Sequence, residues 1–174
     1  MTSTGATPYY LAAQRTEPEF FDAAETPTVV RKFTDYPLSK MEEAMDGTFS
    51  VLFQALTAQG LRPVGPPFSL YEDMSGETAT FEVGIPVDRP LPAPVSGPSG
   101  AVLEGSVLPG GPVAAISHVG SYDRLGDAWG AFLQAVAESG RASAAPFWEF
   151  YATEPSPEAD PESMRTDLVT RVTG

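Results

Sequence analysis

A chain of 174 residues, 42% hydrophobic and 19% charged, is sized for one globular domain or two small fused modules, and buries a core without covalent staples. Its lack of cysteine excludes disulfides, thiolate metal sites and cysteine nucleophiles, and its single histidine, His118, excludes zinc sites built on several imidazoles. A net charge of −13 with no basic stripe repels phosphate backbones, so direct nucleic-acid binding is not expected. No apolar run approaches the ~18 residues of a membrane span and no secretory signal is visible. The expectation is a soluble cytoplasmic protein whose acidity serves solubility.

Met1 to Thr16 is small and polar apart from Tyr9, Tyr10 and Leu11, and reads as a mobile or loosely docked arm. EFFDAA (Glu19 to Ala24) and PTVVRKF (Pro27 to Phe33) read as strands separated by a turn. An amphipathic helix follows, its apolar face formed by Met45, Phe49, Leu52, Phe53 and Leu56. Ser39 and Glu42 have the spacing of a capping box. Gly47 costs about 1 kcal/mol relative to Ala inside a helix, which predicts a break near Asp46-Gly47. Gly60 stands where a helix ends in a left-handed turn. PPFSLYED (Pro66 to Asp73) and FEVGIPV (Phe81 to Val87) are the next strands. Asp88 to Gly100, rich in Pro, Gly and Ser, reads as a linker.

After the linker the pattern recurs. AVLEGSVL (Ala101 to Leu108) and PVAAISH (Pro112 to His118) are strands, and Ser121 is placed to cap a second helix. AWGAFLQAVAESG (Ala128 to Gly140) aligns without gaps to TFSVLFQALTAQG (Thr48 to Gly60), so Leu125, Trp129, Phe132, Leu133 and Val136 repeat the first apolar face. PFWEFYAT (Pro146 to Thr153) falls on PPFSLYED, which sets Tyr151 on Tyr71 and Glu149 on Ser69. TDLVTRV (Thr166 to Val172) matches FEVGIPV after a five-residue adjustment. The chain thus divides into an arm (1–16), a first module (17–87), a linker (88–100) and a second module (101–174), which together form one compact domain. Each module reads strand, strand, helix, strand, strand. The fold class is α+β: a tandem pseudo-two-fold repeat whose antiparallel sheet carries two main helices on one face. A groove is expected near the two-fold axis between the helices.

Chemistry concentrates in PFWEFY. Alternation puts Phe147, Glu149 and Tyr151 on one sheet face and Trp148 and Phe150 on the other. A carboxylate on a packed face costs several kcal/mol to desolvate unless paired or neutralised. A cationic aromatic ligand supplies the missing charge while Phe147 and Tyr151 stack on it. The alternatives left open are that Glu149 pairs with an internal arginine, such as Arg31 or Arg171, or faces water. Tyr71 is placed on the opposite wall, Phe49 and Trp129 on the apolar helix faces, and Tyr122 at the rim. Each of these also has an ordinary reading as core or surface packing.

His118 has Ser117, Ser121 and Asp123 nearby, but no nucleophile elbow exists and all crowd one turn, which argues against a serine-hydrolase triad. The acidic Glu154, Glu158, Asp160 and Glu162 lack the glycine and spacing of a calcium loop. No metal site and no cofactor is expected.

LPGGPVAAISHVGSYDRLGDAWGAFLQAV (Leu108 to Val136), followed by EFYATEP (Glu149 to Pro155), resembles the GyrI-like small-molecule-binding family, which includes the effector-binding domains of MerR- and AraC-type multidrug transcription activators. The resemblance runs from about Glu19 to Val172. It implies two repeated modules with a central cleft for lipophilic, often cationic, compounds, with Glu149 as the charge partner and Tyr151 as the family's tyrosine two positions on. Met1 to Thr16 is too short for a helix-turn-helix, so the expectation is a stand-alone binder. Two further readings remain: a hydrolase of strained or reactive small molecules of cyclopropanoid type, with Glu149 as general base, and a protein partner such as a regulator or a topoisomerase.

Overall fold

The computed structural model describes residues 8–97, 100–152 and 160–173. In chain order the elements are β1 (Glu19–Ala23), β2 (Thr26–Pro37), α1 (Met41–Gln59), β3 (Phe68–Ser75), β4 (Thr78–Pro86), β5 (Val95–Ser96), β6 (Val102–Leu108), β7 (Gly111–Val119), α2 (Leu125–Glu138), β8 (Ala142–Tyr151) and β9 (Arg165–Thr173). The strands form one nine-stranded sheet in the order β1-β7-β9-β8-β3-β4-β2-β6-β5, with every described pair antiparallel.

The internal repeat governs the register. Thr28 pairs with Pro86 as Val113 pairs with Arg171, and Phe68 pairs with Gly84 as Trp148 pairs with Val169. Each second-half pair is its first-half counterpart advanced by 80 residues on the central strands and 85 on the outer ones. The halves meet at β3 and β8, where Ser69 lies directly opposite Glu149. These two residues are repeat counterparts, so the pseudo-two-fold axis passes between them.

The edges depart from a simple side-by-side arrangement. β1, from the first half, pairs with β7 of the second, and β6, from the second half, pairs with β2 of the first. Each half therefore lends the other a strand, which satisfies backbone groups that would otherwise be an open edge.

Both helices lie on the face carrying Glu149. α1 buries Ala44, Thr48, Leu52 and Leu56, and α2 buries Phe132 and Val136; each large apolar side chain fully buried here contributes roughly 1.5–3 kcal/mol. The buried stripe is rotated from the expected one, because Phe53 and its counterpart Leu133 are exposed. α1 runs unbroken through Gly47, since the Leu52 and Leu56 contacts outweigh one unfavourable residue. Neither expected cap forms: Lys40 and Arg124 occupy the N-cap positions without side-chain bonds, and short 3-10 turns lead into both helices. Gly60 ends α1 in the left-handed conformation (φ 70°), as its position predicts.

The opposite face is covered by the N-terminal arm. Residues 8–16, expected to be mobile or loosely docked, are pinned: Tyr10 and Arg15 are buried, Trp148 Nε1 donates to Tyr9 Oη at 3.2 Å, and the Arg15 amide donates to Ser117 Oγ at 2.9 Å. The expected linker is likewise used, because Leu91 and Val95 pack against the core beneath α1 and β5 pairs with β6. Residues 154–159 of the acidic stretch lie outside the described residues.

Candidate functional site

β8 carries the site. Its register shift falls between Ala144 and Phe147, so alternation is intact from Phe147 to Tyr151, and these two and Glu149 share one face as their spacing predicts; the helices cover that face. Trp148 and Phe150 point the other way, into the cluster that includes Tyr9 and Tyr10.

Glu149 is only 8% exposed. Trp129 of α2 donates its indole Nε1–H to Oε1 at 2.7 Å. Tyr151 Oη lies 2.9 Å from Oε2 and 2.6 Å from Ser69 Oγ, which in turn lies 3.1 Å from Tyr71 Oη. None of the described residues forms an ion pair with Glu149. Arg31 stacks over Phe33 at 5.0 Å and Arg171 donates to the Ala145 carbonyl, so neither is its partner.

Aromatic rings complete the walls. Tyr71 stacks on Phe147 (5.3 Å, 21°), Trp129 meets Phe147 edge-on at 5.1 Å, and Phe49 of α1 meets Tyr151 edge-on at 6.4 Å. Six of the seven residues singled out from the sequence thus converge: Glu149, Tyr151, Phe147, Tyr71, Trp129 and Phe49. The seventh, Tyr122, begins the turn before α2, and its side chain lies outside the described residues.

Burial pushes the Glu149 carboxyl above the usual carboxylate range, partly offset by the bonds from Trp129 and Tyr151 and by the field of His118. Burial also raises the Tyr151 and Tyr71 hydroxyls, and the nearby Glu149 adds to both shifts. These are the signatures of a dry, electronegative patch.

Three residues of the site were not singled out. Ser69 is fully buried; its alignment with Glu149 was the available signal. His118 stands on β7 within electrostatic reach of Glu149, and its Nε2 lies 3.1 Å from the Ser121 carbonyl oxygen. Thr166 of β9 pairs with both Tyr151 and His118, and its Oγ1 is buried with no hydrogen-bond partner among the described residues. An unsatisfied buried hydroxyl registered against Tyr151 is spare hydrogen-bonding capacity.

Where a groove was expected, Trp129 and Tyr151 occupy the carboxylate oxygens. Two shallow depressions lie elsewhere, one under α1 against Leu56 and Leu103, the other beside β1 at Phe20 and Arg141. Among the described residues no group of three His, Asp or Glu side chains is placed to hold a metal, and no helix is long and apolar enough to cross a membrane.

The GyrI-like small molecule binding domain matches residues 17–173. The chain belongs to the GyrI-like family. No curated protein matches it. Among solved structures it is similar to the EcmrR C-terminal domain (TM-score 0.73, 17% identity, covering 90% of this chain and 97% of that one). It also matches EcmrR in a complex with DNA (TM-score 0.71, 17% identity), again over 90% of this chain but spanning 57% of that one. A third similar structure is SAV2435 bound to tetraphenylphosphonium (TM-score 0.60, 13% identity, covering 91% and 99%). At these identities the likeness concerns the GyrI-like fold.

Proposed function

We propose that this GyrI-like protein binds lipophilic aromatic cations at the seam between its two halves, with Glu149 as the charge partner. The observation that carries this reading is a buried carboxyl contacted by neutral donors, Trp129 and Tyr151, and walled by Phe49, Tyr71 and Phe147. A cation seated there regains in Coulomb attraction what burial costs the carboxylate, and its rings stack on the aromatic walls. Exposed Phe53 and Leu133, one helical turn beyond Phe49 and Trp129, extend an apolar rim on both sides. Entry requires Trp129 or Tyr151 to yield its bond to Glu149. Stacking tolerates changes of shape, so a broad, multidrug-like range of guests is part of the reading. So are a cytoplasmic setting and the absence of direct nucleic-acid contact, given the charge of −13.

The test is fluorescence titration with a rhodamine- or ethidium-like dye against wild type and Glu149→Gln. Affinity for the cation is expected to fall about tenfold or more in the variant, equivalent to at least ~1.4 kcal/mol, while a neutral dye of similar area is little affected. Unchanged cation affinity removes Glu149 from the reading.

A second reading rests on the raised Glu149 carboxyl, which suits a general base activating water toward a strained electrophile. Incubation with a cyclopropane-containing alkylating compound, followed by mass detection of a water adduct that Glu149→Gln abolishes, separates catalysis from binding.

A further inference from the structure

Resting on the cation-binding reading above, we propose that Ser69 and Tyr71 are working parts of the site, and that cation capture at Glu149 is an exchange: the free protein holds this carboxyl as the neutral acid, and its proton leaves when the guest's charge arrives.

The geometry behind this is a chain of four oxygen-bearing groups, Tyr71–Ser69–Tyr151–Glu149, joined by contacts of 3.1, 2.6 and 2.9 Å. Each contact needs one hydrogen, and each hydroxyl supplies one. Two orders of hydrogens fill all three contacts; the protonated one keeps Ser69 donating to Tyr71, as in the structure, and the ionised one turns that bond round. With Glu149 ionised, every donor points toward it: Tyr71 to Ser69, Ser69 to Tyr151, Tyr151 to Glu149. With Glu149 protonated, the order reverses, and the carboxyl donates to Tyr151, Tyr151 to Ser69, and Ser69 to Tyr71. A mixed order, with Ser69 donating to Tyr71 and Tyr151 to Glu149, leaves the 2.6 Å Ser69–Tyr151 contact without a hydrogen, and two oxygens at that distance repel. The chain is therefore two-state, and its direction is tied to the charge on Glu149.

The surroundings select the protonated state in the free protein. The groups facing Glu149 are Trp129 from α2, Ser69 and Tyr71 from β3, Tyr151 on its own strand, Thr166 from β9 and His118 from β7. Of these only His118 can bring positive charge. Arg165 is engaged with Asp167 on the other face, and Asp46 of α1 and Asp127 of α2 are solvent-exposed. Desolvation pushes the carboxyl in the same direction.

A guest cation replaces the missing charge, the carboxyl O–H bond breaks and the proton passes to solvent. The chain offers the route. Tyr151 takes the proton from Glu149 and gives its own to Ser69, Ser69 gives its own to Tyr71, and Tyr71 releases its own. That sequence leaves every hydroxyl in the arrangement that the ionised carboxylate requires.

The test is calorimetric titration of the full chain with tetraphenylphosphonium, which has no titratable proton, in buffers of differing ionisation enthalpy from about pH 5 to about pH 9. Close to one proton is expected to be released per cation bound on the acid side, falling toward zero on the alkaline side. The Kd is expected to drop about tenfold per pH unit before levelling. Ser69→Ala breaks the chain in both orders, as acceptor in one and donor in the other, so the crossover pH is expected to move. Tyr71→Phe keeps the ring on Phe147 and removes one end of the chain, so a smaller displacement of the crossover is expected. Binding with buffer-independent heat and a flat Kd overturns the exchange and leaves the cation site standing, whereas no binding at any pH overturns the site itself. A wild-type profile in both variants removes Ser69 and Tyr71 from the mechanism.

Discussion

Two buried carboxylates occupy adjacent strands and point to opposite faces of the sheet. Asp167 of β9 receives Arg165 through Nε at 2.8 Å and a terminal nitrogen at 2.9 Å, and Ser117 Oγ donates to it at 2.8 Å. Glu149 of β8 receives an indole N–H and lies against a tyrosine hydroxyl, with no guanidinium among its described neighbours. The first acid is complete within the molecule. It helps hold the N-terminal arm, since Arg165 also donates to the Ala12 carbonyl and Ser117 accepts the Arg15 amide. The second has neutral donors but no paired cation, so burial outweighs the groups that favour its ionised form. Burial alone thus does not make the two acids alike; what distinguishes them is whether the chain supplies the countercharge.

The largest effect that sharpens this contrast is expected at Asp167. Asp167→Ala strands the partly buried Arg165 and removes the acceptor of Ser117, which costs about 3 kcal/mol in urea unfolding at neutral pH. A loss below about 1 kcal/mol erases the distinction between the two acids. Glu149→Gln is expected to move stability the other way. A carboxyl raised above 4.5 in the folded state binds more protons there than in the unfolded chain. Its stabilisation is therefore present below about pH 4.5 and is lost as pH rises through the folded value. The variant escapes that loss, so its Tm should exceed that of wild type at neutral pH and not at about pH 4. Glu82, buried beside Ser106 and shifted in the same direction, keeps a residual pH slope in both proteins. Trp129→Phe is the mildest change: the ring stays against Phe147 while the 2.7 Å bond to Oε1 is lost. The expected cost is about 1 kcal/mol, and with a lowering influence removed the carboxyl rises further, which a carbonyl-stretch titration of Glu149 detects.

Much of this was legible in the residues. Gap-free alignment of Thr48–Gly60 with Ala128–Gly140 placed both helices, and the same offset made Ser69 the counterpart of Glu149; that the two face each other across the axis came only with the pairing of β3 and β8. Period-two alternation in PFWEFY put Glu149 on one face with Phe147 and Tyr151, but did not say which face the helices cover. Alternation names a face but not a neighbour, so the lending of β1 and β6 between halves left no mark on the pattern. Nor did helical spacing reveal the Trp129–Glu149 bond, because it depends on how far α2 sits from the sheet. The unbroken α1 at Gly47 shows tertiary packing overriding a local preference of about 1 kcal/mol. The arm was misjudged because its anchors, Tyr9, Tyr10 and Arg15, find partners on strands distant in sequence.

The borrowed edge strands bear on how a guest reaches Glu149. With β1 stitched to β7 and β6 to β2, prising the halves apart would tear backbone ladders at three places at once, the central one and both margins. The sheet is thereby made a fixed floor. On the proposed reading, what is left to yield is the roof above it, where the indole of Trp129 on α2 donates to the carboxyl.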